Sequence, residues 1–579
     1  MSYSTNIAAI SRTPVSLVVI TQDFCANAFG VAPCTATGNQ CFNTYFTCKD
    51  RANYSQTTKD YRFSSADAGV QRQLAGQVRP YLQNYKLLPT DISGDITVTQ
   101  RAVIVMSDEP DSDIGIDPYA ATRSPAPPYS SFWRKWIARN PNYKFRYVKI
   151  YDGFSGDAES EYKQRFVGRI DSIQIQGSQI TIQATDVLLT LDNFTVPPNA
   201  QVALVSAITS GTTDIVLSAL DDGNGNNLFP TSTGYVRIGD EIVYYSGINV
   251  PQNKLTGCTR GSYGTTAAAA SANAKVQPCK FYKGNPFDLL VSMLEDDAGI
   301  PAGYVDSTAF TYWKDFPATD IDFDALISEP TKLKDLFWEI VNLLDLKVWV
   351  GEDLKVTCTR GLQNLPGRTY AYLTDAANIV AESVSVDVND SSAITRATIF
   401  YHQAPIAKAD QSATYGRELT AINGDAESAN GYGTIIEQKF MTRWVSTRYQ
   451  VEETVAAWVA SAAAHMIFKY QYAQPVLTFD MELKDQDVKT GDDVKIQTDE
   501  LLDRFGNPKN DYFLITSRDP SALNRITYKA IWCISIRWAF QGGAMASSYT
   551  GASDADKQYL YQCDDNGNIN DEKVQYLQW

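Results

Sequence analysis

Histidine is nearly missing from this chain: 579 residues hold only His402 and His465. A Ser-His-Asp triad or a histidine-rich metal centre therefore has few places to form, and both histidines are expected to be structural. No P-loop, no G-x-S-x-G elbow and no G-x-G-x-x-G after a strand occurs. Nucleotide binding and hydrolase chemistry thus have no fingerprint here. Carboxylates abound, but nothing singles out two of them as a glycosidase pair. Basic residues fall short of acidic ones, 50 against 66, for a net charge of −16 and a pI near 4.7. That balance argues against a protein that tracks a nucleic-acid backbone. Long apolar runs are missing too. The run Val15 to Ile20 follows no charged n-region and is far too short to span a bilayer, so it reads as a strand. The expectation is a chain without a membrane segment, made in a reducing cytoplasm, where metal–thiolate chemistry is favoured over disulfides.

What is present points to β-rich domains. Aromatics make up 12% of the residues, with 33 tyrosines, among many Thr, Val and Ile runs. The length exceeds what one core can serve, so several domains are expected.

Nine cysteines occur, and four stand together. Cys25, Cys34, Cys41 and Cys48 lie within 24 residues, with eight, six and six residues between successive members. The other five, Cys258, Cys279, Cys358, Cys533 and Cys563, are scattered singly. From spacing alone three readings of the group of four stand level: two disulfides, a tetrahedral zinc site, or an iron–sulfur cluster on four thiolates. Zinc ribbons draw two ligands from a C-x-x-C knuckle, which is absent. A cubane cluster is wider than one ion and can be wrapped by longer loops, shielded here by Phe24, Phe29, Phe42, Tyr45 and Phe46.

The segment Cys25-Ala-Asn-Ala-Phe-Gly-Val-Ala-Pro-Cys34, followed by Cys41-Phe-Asn-Thr-Tyr-Phe-Thr-Cys48, resembles a cysteine motif in tail-tip proteins of lambda-like, long-tailed bacteriophages. The first and last gaps look the same, and the middle gap, Thr35 to Gln40, is shorter here. The resemblance implies that Cys25, Cys34, Cys41 and Cys48 hold a 4Fe–4S cluster, with zinc or disulfides as the alternatives.

Further along, Ile173 and Ile175, the turn Gly177-Ser178, and Ile180 and Ile182 read as a hairpin with one buried face. Ser131 to Arg139 has helical spacing and stops before Pro141. Trp133 and Trp136 among Arg134, Lys135 and Arg139 mimic a stacking patch for nucleic acid, but an amphipathic packing helix in a small barrel or sandwich is the expectation. Gly234-Tyr-Val-Arg-Ile-Gly-Asp-Glu-Ile-Val-Tyr-Tyr, followed by Thr259-Arg-Gly-Ser-Tyr-Gly-Thr-Thr266, is similar to small β-modules inserted in phage tail and adhesin proteins. Cys258 and Cys279 could pair across it, though free thiols are the default. Asn285-Pro286 opens a helix, and Leu333, Leu336, Phe337, Ile340, Val341 and Leu344 form a 3.6-period stripe. A long helix from about Val451 to Tyr470 precedes a half-buried strand on Leu477, Phe479, Met481 and Leu483, and Gly491-Asp-Asp-Val turns into another. That order looks like the hub proteins at the tail tips of phages and related contractile machines. Two acidic loops, Asp111-Ser-Asp113-Ile-Gly-Ile-Asp117 and Asp222 to Asn226, depart from the EF-hand pattern and are expected to be solvated turns.

The expected fold is thus a β-rich α+β, multidomain chain of small barrels or sandwiches with packing helices. Its divisions are an N-terminal segment with the four-cysteine site (1–60), a barrel-like domain (61–198), an inserted all-β module (199–280), an α+β domain (281–400), a second α+β or barrel domain (401–545) and a C-terminal extension (546–579), whose final Trp579 is expected to dock on a partner. The resemblance implies a structural, non-enzymatic hub in the virion tail tip, assembled in the bacterial host cytoplasm. Such a hub forms a homotrimer, contacts distal tail, tape-measure and central fibre proteins, and meets DNA only in transit. An iron–sulfur redox or electron-transfer protein and a carbohydrate-binding adhesin are the alternatives.

Overall fold

The computed structural model describes residues 13–65, 77–93, 100–126, 128–222, 227–315, 321–360, 370–389, 393–406, 409–470, 473–482, 487–503, 505–519 and 525–533. The C-terminal extension, Cys563, Leu483 and most of the loop after Asp222 lie outside the described residues. The chain is β-rich with few helices, and it divides into two compact units, residues 1–90, 98–190 and 350–355 in the first, the remainder in the second. Among the described residues no helix is long and apolar enough to cross a membrane.

The first unit is built on an eight-stranded sheet. Its strands run, edge to edge, Val78–Arg79, Gln56–Ser64, Pro14–Cys25, Tyr147–Phe154, Lys163–Gln176, Gln179–Thr185, Arg101–Ser107 and Leu82–Leu88. The two edges are joined by Pro80 and Tyr81 alone, so the sheet curls until they meet. The apolar run at the start forms the strand Pro14–Cys25, and it is continuous because both faces are covered. Val18 and Ile20 enter the main core with Phe63, Ile104 and Ile182, while Val15, Leu17 and Val19 pack with Tyr162 on the other side. The hairpin expected at Gly177-Ser178 is formed, with Ile180 opposite Ile175 and Ile182 opposite Ile173. Its buried face ends early: Ile180 and Ile182 are fully buried but Ile175 is 40% exposed, because the hairpin tip runs past the core. The helix Phe132–Arg139 is capped by the Ser131 hydroxyl, which accepts from Arg134 N at 3.2 Å. Phe132, Trp133 and Trp136 are buried in the core, where Trp133 stacks on Phe63 and Trp136 meets Tyr61 edge-on, so neither offers a face to bases.

In the second unit, residues 200–276 have a core of their own, including Val202, Ile215, Phe229, Val243, Tyr245 and Leu255. The hairpin Gly234–Ile238 to Glu241–Tyr245 turns on Gly239-Asp240, with Gly239 at φ +59° as the two-residue turn requires. The strand Lys275–Gly284 closes this sheet with its first half and pairs with Phe323–Ile327 through its second half. Cys258 and Cys279 are buried free thiols. Asn285 caps the helix Pro286–Ser292, and the stripe of the helix Leu333–Leu343 is wholly buried. The helix Glu452–Tyr470 packs on the strands Arg396–Gln403 and Tyr415–Ile422. A six-stranded sheet follows, ordered Ala371–Thr374, Asp493–Leu502, Pro508–Asp519, Arg525–Trp532, Gln474–Glu482 and Ser385–Asn389, with Leu477, Phe479 and Met481 on its buried face.

Candidate functional site

The cysteine segment begins where the strand Pro14–Cys25 ends and returns at Gln56, opposite Cys25 in the sheet. Between them, residues 26–55 contain no strand and only one short 3-10 turn, Arg51–Asn53. Such a loop has little apolar core and must be held by polar pins, some within it and some to the barrel. Asn43, at φ +54°, is one pin: its carbonyl accepts from Cys25 N at 2.7 Å, and its carboxamide donates to the Cys25 and Asn27 carbonyls at 3.3 Å. Asp50 is another, accepting from the Thr35 amide at 2.7 Å and hydroxyl at 2.9 Å. Thr44 donates to the Arg139 carbonyl at 2.8 Å.

A web of charge holds the loop to the barrel. Arg123 donates to the Gln40 carbonyl at 2.6 Å and the Cys41 carbonyl at 2.8 Å, while its fork grips Asp117 at 2.6 and 2.8 Å. The Phe42 ring lies 4.0 Å from both the Arg123 and the Arg139 guanidinium carbons. Arg139 in turn binds Asp113 at 2.6 Å, shared with Lys135 at 2.9 Å, and Arg79 binds Asp111 at 2.8 Å. Burial pushes the Asp111 carboxyl up, but Arg79 outweighs it and holds the group below the usual carboxylate range. The loop Asp111 to Asp117 is therefore no solvated turn. Asp113 is 1% and Asp117 4% exposed, and each acid serves a base the sequence places elsewhere.

Cys25 and Cys41 are buried, Cys34 and Cys48 half-buried, and none is bonded to another. Burial pushes the Cys41 thiol up, the Asn43 amide opposes, and Cys48, Cys34 and Cys25 all add repulsion. Burial also raises Cys48, with Cys25 and Cys34 adding to it. Cys41 and Cys48 thus each lie within electrostatic range of the other three. No group of three or more His, Cys, Asp or Glu side chains among the described residues is placed to hold a metal ion. Four soft thiols on one stretch of chain are the donor type that an iron–sulfur cluster takes.

The histidines lie in the second unit. His402 is half-buried, with Thr447 Oγ1 3.0 Å from its Nδ1. Nε2 of His465 is 3.1 Å from Asp345 Oδ2, which Lys469 also reaches at 2.5 Å, while the Tyr470 hydroxyl donates to Oδ1 at 3.0 Å. Burial pushes Asp345 up, yet Lys469 and His465 prevail and hold it far below the usual range. Burial keeps His465 below its ordinary value. With side chains 9–13% exposed, this network is a buried staple between the helix Glu452–Tyr470 and Asp345.

No family model matches the chain, and no curated protein matches it. Among solved structures it is similar to the tail protein from Neisseria meningitidis MC58, at 8% identity and TM-score 0.35, over 79% of this chain and 94% of that one. The 43 kDa tail protein of prophage MuSo2 from Shewanella oneidensis is similar at 9% identity and TM-score 0.34, over 78% and 94%. Prophage tail protein gp18 from Listeria monocytogenes EGD-e is similar at 10% identity and TM-score 0.28, over 89% and 94%. With these TM-scores below 0.5, function rests on this chain's own residues.

Proposed function

We propose that the chain is a structural hub of a bacteriophage tail tip, in which Cys25, Cys34, Cys41 and Cys48 hold a 4Fe–4S cluster. The observation that carries the reading is the grouping of four free thiols, in a spacing that resembles the phage motif, at the end of one strand and on the loop after it, which has little apolar core. When bound, the cluster supplies four covalent anchors, and its binding free energy becomes folding free energy of residues 26–55. The chain's own residues do the rest. Asn43, Asp50, Arg123 and the Phe42 sandwich set the loop against the barrel, so the cluster fastens a surface rather than turning over a substrate.

On this reading the protein is not an enzyme. It forms a homotrimer around the tail axis, contacts distal tail, tape-measure and fibre proteins, and lets DNA pass during ejection. Two measurements test it. Anaerobically purified protein should show visible absorption with about four irons and four sulfides per chain, and each single Cys→Ser change should lower both. Iron content unchanged in all four variants refutes the assignment. In averaged density of intact particles the chain should stand in three copies at the distal end of the tail tube. A place in the capsid refutes the hub.

A further inference from the structure

In the second unit the segment between the strand Glu437–Met441 and the helix Glu452–Tyr470 has no regular structure, so single hydrogen bonds and side-chain contacts set its position. His402 supplies three of them. Its amide donates to the Val445 carbonyl at 2.8 Å, and its Nδ1 lies 3.2 Å from the Thr447 amide and 3.0 Å from the Thr447 hydroxyl. A backbone N–H only donates, so Nδ1 is bare and the ring is neutral, with its proton on Nε2. The next two residues reach the other way. Arg448 donates to the Gln403 carbonyl and lies over the Tyr263 ring, 4.5 Å from its centroid. Tyr449 packs on Tyr263 at 6.4 Å and on Phe281 at 5.8 Å. Tyr263 stands within residues 200–276, which carry their own core. One short segment thus links His402 to that region.

Two bulky residues hold left-handed backbone here, His402 at φ +59° and Tyr263 at φ +58°, a conformation that their surroundings must enforce. Protonation of His402 would undo part of that enforcement. The Thr447 hydroxyl can turn and accept from an Nδ1–H, but the Thr447 amide cannot, and two N–H groups would then face each other. Charge acts in the same direction. The ring faces Arg448 on the segment itself, Arg417 on the strand Tyr415–Ile422 and Glu452 at the start of the helix, and Glu452 already pairs with Arg417 at 2.7 Å. We propose that His402 is a proton-controlled latch, closed on Thr447 while its ring is neutral, whose protonation releases residues 445–450 and with them the hold of Arg448 and Tyr449 on residues 200–276. Burial, then Arg448 and Arg417, keep the ring below its ordinary value, with Glu452 opposing. The folded value is thus depressed under the unfolded ~6.5, so the latch is intact above that pH and is lost as pH falls further.

The inference rests neither on the cysteine loop nor on the tail reading. Full-length protein is followed by amide hydrogen exchange between about pH 7.5 and about pH 5, with rates corrected for the intrinsic effect of pH. Protection in residues 442–450 and 259–266 should fall about fivefold or more over that range, with the strand Gln474–Glu482 unchanged. His402→Asn accepts left-handed backbone and offers an oxygen to the Thr447 amide but cannot take up the proton, so its protection should not change with pH. Arg417→Met, at a side chain 47% exposed, removes a cation from beside the ring and should move the wild-type midpoint upward. It serves where His402→Asn lowers the thermal unfolding midpoint. Equal wild-type protection at both ends of the range, the same fall in His402→Asn, or a midpoint unmoved by Arg417→Met each overturns the proposal. So does a fall shared by Gln474–Glu482, or one confined to residues 442–450.

Discussion

Removing the carboxylate of Asp345 should expose how much the second unit depends on one buried charge. Asp345 is 9% exposed and is held by Lys469 at 2.5 Å, His465 at 3.1 Å and the Tyr470 hydroxyl at 3.0 Å. Asp345→Ala would leave the Lys469 ammonium, 13% exposed, without its nearest anion, a change that costs ~3–5 kcal/mol at a buried pair. Lys469→Met should cost a similar amount by leaving the carboxylate short of its closest cation. The double variant should lose much less than the sum, because an apolar replacement of both partners removes the desolvation penalty with the attraction. Urea unfolding of the four proteins then gives a coupling energy of ~2 kcal/mol or more. The pH dependence carries a sign. Asp345 has its folded-state value depressed below the unfolded ~3.9, so its contribution is full above about pH 4 and is lost as pH falls further. His465 is depressed below ~6.5, so the unfolded chain takes up that proton first and stability also falls as pH drops through that value. The penalty of Asp345→Ala should therefore be largest near neutrality and shrink below pH 4. Additive single effects, within ~0.5 kcal/mol, would refute the reasoning.

Arg123→Met should free the Gln40 and Cys41 carbonyls and unclamp Phe42, which hydrogen exchange will register as faster amide exchange in residues 26–55 with the barrel strands unchanged. Glu241, 2% exposed, accepts from Arg260 at 2.6 and 2.8 Å, from Gly261 N at 2.8 Å and from Ala268 N at 3.1 Å. Glu241→Leu should cost ~3–5 kcal/mol, read as a lower urea midpoint, with the penalty fading as pH falls below ~4.3, since its folded value is depressed. A Cβ on Gly491, at φ +91°, would come 2.1 Å from the Trp349 ring, so Gly491→Ala should cost ~2–4 kcal/mol in the same assay. Residues 199–280 expressed alone should unfold in one cooperative transition, seen by circular dichroism, because they carry their own core.

The sequence by itself determined the local elements wherever one period or one turn residue decides the outcome. The stripe of the helix Leu333–Leu343, the Asn285 cap, the Gly239-Asp240 hairpin and the alternation Leu477, Phe479, Met481 all formed as their spacing predicts. The packing role of Trp133 and Trp136 was also legible, since their spacing is that of one helix face. Only the tertiary structure decided what the charges do. Asp111, Asp113 and Asp117 look like a solvated turn, and Arg134, Lys135 and Arg139 like an exposed basic face. Yet Asp113 is the partner of Lys135 and Arg139, 22 and 26 residues further on. Periodicity reports burial of apolar side chains but carries no information about which ion meets which across a folded loop. The same limit hid Arg123 and Asn43, single residues whose work is to reach backbone carbonyls 82 and 18 positions away.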